Sequence, residues 1–118
     1  MILVDTSIWV NHLRRHDALL AVHLEAGEVL CHPYVIGEVA LGLLKQRRQV
    51  LDLLAALPSA STVSHDEALA FVEDRKLAGL GVGWVDVHLA ASAVVSRARL
   101  WTADRRLASV ARLLRLDP

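Results

Sequence analysis

A chain of 118 residues has the length of one domain, residues 1–118, and can bury a core without disulfide or metal staples. Thirteen basic residues cancel 13 acidic ones, so no overall charge marks the chain for nucleic acid. The lone Cys31 excludes an internal disulfide and points to a cytoplasmic setting.

In chain order, "MILVD" reads as a short buried strand stopped by polar residues. It is too short for a secretion signal and lacks a basic lead-in, and no later run approaches the roughly 18 apolar residues of a membrane helix. "SIWVNHLRR" and "ALLAVHLEAG" follow as helices, the second closed by Gly27. "EVLCH" reads as a second strand. Pro33 then opens a helix through "PYVIGEVALGLL", where its missing N–H would be unpaired anyway. "RRQVLDLLAAL" gives another helix, stopped before Pro58. "STVS" has the pattern of a third strand. Ser64 and Glu67 form an S-x-x-E capping box that starts a helix at His65, ending near Gly79. "GLGVG" is a turn, "WVDVHLAASAVVSRA" a long apolar helix, and "RLWTAD" a strand ending on Asp104. "RRLASVARL" forms the last helix and "LRL" a closing strand. Strands alternating with helices predict an α/β fold with a parallel sheet.

Ligands of such sheets bind beyond the carboxyl ends of the strands, where Asp5 and Asp104 fall. Nine of the 13 acids lie at helix ends, among polar neighbours or, for Asp52, one turn from Arg48. Asp5, Glu38, Asp86 and Asp104 are each the only charge in an apolar segment. Singly, each has an ordinary role. Asp5 and Asp104 fit as helix caps, Asp86 suits the first turn of its helix, and Glu38 fits a narrow polar edge. Together they are harder to dismiss. Glu38 in particular sits on a helix apolar almost all round, so burial is expected, and a buried carboxylate needs a partner. Crowded carboxylates repel, and a divalent cation relieves the repulsion. An oxygen-only donor set favours Mg²⁺ or Mn²⁺ over zinc. The six histidines suggest no zinc site: His12 and His16 lie on an arginine-rich helix end, and His88 points away from Asp86.

"VDTS", "GEVALG", "GVGWVDVHLAASA" and "LWTADRRL", in that order, resemble the four acidic motifs of PIN-domain nucleases, most closely the VapC toxins of VapBC toxin–antitoxin pairs. The resemblance covers essentially the whole chain. It implies a three-layer PIN-like fold with a short central parallel sheet flanked by helices. It also implies a metal-dependent endoribonuclease that cuts structured RNA of the tRNA or rRNA class. Asp5, Glu38, Asp86 and Asp104 match the family acids, with Asp5 and Asp86 closest to the metal, and Thr6, Ser7 and Thr102 match its pocket hydroxyls. Partners implied are a VapB-like antitoxin and a second copy of the chain. A non-toxin PIN nuclease and a catalytically idle binding module are the alternatives. A dehalogenase-type phosphatase is disfavoured because "DTS" stands where D-x-D is needed.

If a cation neutralises the four acids, 13 basic residues face the other nine acids, a balance of +4. Arg105 and Arg106, directly after Asp104, are the first candidates for phosphate contact, followed by Arg14 and Arg15. Trp9 and Trp101 flank the acid motifs, where core packing competes with base stacking. A hydrophobic content of 54% with a mean hydropathy of +0.39 fits either a Leu- and Ala-rich core or a covered partner surface.

Overall fold

The computed structural model describes all of residues 1–118. At its centre lies a wholly parallel sheet of β1 (Ile2–Val4), β2 (Val29–Leu30) and β3 (Arg99–Trp101), in the spatial order β2-β1-β3. Parallel strands need long crossovers, and helices supply them. Between β1 and β2 run α1 (Thr6–Arg14) and α2 (Ala18–Glu25). Between β2 and β3 run α3 (Pro33–Ala40), α4 (Arg47–Ala56), α5 (His65–Arg75) and α6 (Trp84–Val95), and α7 (Arg105–Leu113) follows β3.

Every residue of β1 is buried, as expected of a central strand covered on both faces. Leu3 pairs in register with Leu30 and Leu100, and Val4 with Trp101, so the chain leaves β1 and β3 side by side. Trp9, Leu20, Leu54, Leu89 and Leu107 complete the core from the helices. Val87 through Ala93 of α6 are buried without a break, and the small residues among them let this helix lie close against the sheet. On α7, Leu107, Val110 and Ala111 face inward while the arginines stay in solvent.

The fold class read from the sequence holds, with local corrections. "STVS" is not a strand. Only Ser59 bridges Cys31, with Cys31 N–H donating to Pro58 O at 2.9 Å and Ala60 N–H to Cys31 O at 2.8 Å. The pairing ends there because His32 already turns into α3. "LRL" is not a strand either. Leu100 N–H reaches Leu116 O at 2.8 Å, but Arg115 at φ 58° breaks the extended run. α3 stops at Ala40 rather than Leu44, because Arg47 Nη2 takes the Ala40 carbonyl at 2.6 Å and closes the helix end. Residues of left-handed φ, Lys76 at 56° and Arg97 at 52°, end α5 and α6 earlier than their sequence patterns do.

Candidate active site

Asp5 follows β1 and holds the N-cap position of α1, yet its side chain makes no capping bond. It is 6% exposed. Its Oδ2 instead accepts from Ser7 Oγ at 2.8 Å and from Thr102 Oγ1 at 2.7 Å. The two hydroxyls then turn to the backbone beyond β3: Ala103 N–H donates to Ser7 Oγ and Asp104 N–H to Thr102 Oγ1, both at 3.0 Å. Residues almost a hundred positions apart are thereby clamped into one bracket. With Oδ2 taken, Oδ1 is the open atom of Asp5.

Asp104 does cap its helix: Oδ1 accepts from Leu107 N–H at 2.9 Å. The capping role foreseen for it is therefore real, and its second oxygen stays open. Asp86 sits in the first turn of α6, half-buried, with Oδ2 accepting from Gly83 N–H at 3.2 Å. Burial pushes its carboxyl above the ordinary range, and the negative charges of Asp5, Asp104 and Glu38 push the same way, against the Gly83 N–H. Three carboxylates from three other segments thus act on Asp86. None of them has an ion pair; the chain's two salt bridges, His23–Glu28 and Arg75–Asp74, lie elsewhere.

Glu38 corrects an expectation. It is exposed: α3 fully buries only Val35 and Val39, packs Ile36 partly against the core and turns Glu38 to solvent. No desolvation cost demands a partner for it. It is nonetheless held toward the other acids: Thr6 Oγ1 donates to its Oε1 at 2.6 Å. All three hydroxyls singled out in the sequence bond to one of the acids.

The arginines divide. Arg14, Arg15 and Arg105 are exposed with free guanidinium groups. Arg106 is engaged: its Nη1 donates to Gly81 O at 3.4 Å and its side chain covers the glycine turn. Gly81 has φ +79°, and a Cβ there would meet Arg106 Cδ at 3.0 Å. Trp9 is a core residue, 1% exposed.

No three His, Cys, Asp or Glu side chains close into a metal cage. The donor set nevertheless suits one kind of ion. Every donor is oxygen, and Mg²⁺ usually binds through only one or two carboxylates while keeping its waters.

Sequence reading missed one feature. His65, Trp84, His88, Tyr34 and His32 form a row of rings with successive centroid separations of 5.2, 5.0, 5.0 and 5.0 Å. His88 does turn away from Asp86, but into this row. The signal was available in the i, i+4 spacing of Trp84 and His88, which puts both on one helix face.

A central parallel sheet with acids converging at its carboxyl edge defines the class. Residues 2–113 match the PIN-domain model, and the chain belongs to the PIN-domain family. Among its relatives is Ribonuclease VapC32 of Mycobacterium tuberculosis, from strain CDC 1551 / Oshkosh and from strain ATCC 25618 / H37Rv. Each is 56% identical over 108 residues, which cover 91% of this chain and 87% of the relative.

Proposed function

We propose that this chain is an endoribonuclease dependent on Mg²⁺ or Mn²⁺, the toxin of a toxin–antitoxin pair, cutting phosphodiester bonds in structured RNA of the tRNA or rRNA class. The observation that supports it most is the convergence of Asp5, Glu38, Asp86 and Asp104 with no cationic side chain bonded to any of them. Asp5 and Asp86 would hold the ion, and Asp104 and Glu38 would complete the acidic set. When bound, the ion supplies positive charge against the phosphate oxygens and makes a nearby water more acidic. The chain's own residues do the rest. Ser7 and Thr102 fix the Asp5 carboxylate in one orientation. Thr6 holds Glu38 by Oε1, so Oε2 is free to take a proton from the attacking water. Hydrolysis in this sense leaves 5′-phosphate and 3′-hydroxyl ends.

The partner proposed is a VapB-like antitoxin, alongside a second copy of the chain. A groove of about 820 Å³ opens beside Glu38, lined by Val10, Leu13, Leu43, Leu44 and Val50, with Arg14 and Lys45 at its edge. Leu41 and Leu43 near it are 89% and 106% exposed, the kind of apolar surface a partner covers. No helix is long and apolar enough to cross a membrane.

The test is cleavage of a total tRNA and rRNA preparation in Mg²⁺ by the parent, by Asp5→Asn and by Asp86→Asn, with folding checked by circular dichroism. Each variant loses activity on the order of 100-fold or more, as for a removed transition-state contact. Undiminished cleavage by a folded variant sinks the proposal.

A further inference from the structure

The chain has five Phe, Trp and Tyr residues. Only Tyr34, 43% exposed, and Trp84, 39% exposed, stand out in solvent, and both belong to the ring row. Tyr34 lies in the first turn of α3, four residues before Glu38 on the same face, and Trp84 opens α6, the helix that carries Asp86, on the face it shares with His88.

The two rings are held firmly. Each lies 5.0 Å from the imidazole of His88, which is 3% exposed and acts as a buried post between them. His32, 1% exposed, stands behind Tyr34 at 5.0 Å and accepts the Tyr34 backbone N–H on Nδ1 at 3.0 Å. It thus fixes the backbone of Tyr34 as well as its ring. His65 backs Trp84 from the start of α5 at 5.2 Å.

We propose that Tyr34 and Trp84 form a platform on which unpaired bases of the RNA stack beside the scissile phosphate. The inference rests on the nuclease reading above and deepens it. Every base has a π-face, so aromatic stacking tolerates sequence but requires a base free of its helix. The platform therefore selects loops and single-stranded segments within structured RNA, and paired stems are poor substrates. Rings already fixed by buried neighbours lose little freedom on binding, which strengthens such a contact.

The experiment uses a mixed-sequence single-stranded RNA of about 12 nucleotides and a duplex of the same length, with binding followed by fluorescence anisotropy in Mg²⁺. An Asp5→Asn background keeps the RNA whole. Trp84→Leu and Tyr34→Leu each weaken single-strand binding about tenfold, Trp84→Phe and Tyr34→Phe restore most of it, and duplex binding changes little. In cleavage by the chain with Asp5 intact, the loss falls mainly on KM. Unchanged single-strand binding by the leucine variants, with circular dichroism unchanged, overturns the platform and leaves the nuclease reading standing. Equal losses on single strand and duplex overturn it too. So does a shift from dimer to monomer in sedimentation with RNA binding retained, which assigns the rings to a contact between copies. Failure of the parent both to bind RNA and to cut it removes the nuclease reading and the platform with it.

Discussion

At the scale of single residues, two titrating groups give opposite dependences on pH. His32 is held at about 4, against an ordinary 6.5, by burial and then by His88. A base depressed in the folded state contributes its full stability above about pH 6.5 and loses it as pH falls toward 4, because the unfolded chain binds the proton first. The loss amounts to about 3 kcal/mol. Urea unfolding at pH 7.5 and 4.5 measures it, and His32→Asn, which keeps a capping side chain for α3, flattens the difference. Asp86 runs the other way. Its carboxyl is raised, so its contribution is complete only below the ordinary 3.8 and turns unfavourable as pH rises through the folded value. In chelator at pH 7, Asp86→Asn therefore melts above the parent, and the gain shrinks toward pH 4. A lower melting point for the variant at both pH values contradicts this.

Which acids gather was legible from their isolation in apolar segments, but how each is held was not. The Ser7–Thr102 bracket around Asp5 depends on two strand ends meeting, and no local pattern encodes that. Glu38 was misjudged because an apolar helix was equated with a buried one. α3 packs on one face only, and its remaining apolar surface is simply exposed.

Among the elements, the hinge of the site is the contact between α7 and the turn before α6. Arg106 lies across Gly81, so Asp86 and Asp104 are set relative to each other by this contact as well as by the sheet. Gly81→Ala faces two penalties, a left-handed φ of +79° and a Cβ at 3.0 Å from Arg106 Cδ. The expected cost is about 2 kcal/mol in chemical denaturation. Adding Arg106→Ala removes the clash but not the backbone strain, so the double variant is less destabilised than the sum of the single ones. Strict additivity would show that the two residues do not press on each other. The elements themselves were legible where periodicity and caps agreed, as with the Ser64–Glu67 box that starts α5. Their ends were not. The stop of α3 depends on an arginine from the next helix, and the extended run at "STVS" lacked a strand to pair with beyond Cys31.

For the whole molecule, the proposed function makes folding and ion binding one equilibrium. An ion that binds only the folded chain raises its melting midpoint, by about 2.7 kcal/mol of added stability at a hundred times its dissociation constant. A Mg²⁺ or Mn²⁺ titration followed by differential scanning calorimetry shows this as a single transition that moves upward, as two-state unfolding gives. Asp5→Asn abolishes the movement. A flat response up to millimolar metal favours an idle module. The apolar excess of the composition is also accounted for. Part of it is the continuous core from β1 to α7, and part is leucine left in solvent at positions 41, 43 and 113.

The strand order β2-β1-β3 has a consequence for how the chain is made. Asp5 leaves the ribosome well before the hydroxyl of Thr102 and the helix start at Asp104. Until β3 slots in beside β1, the bracket lacks one arm and the acids have no common place to meet. A nascent chain therefore carries Asp5, Glu38 and Asp86 without the bracket until β3 is made, and a product truncated before β3 lacks it.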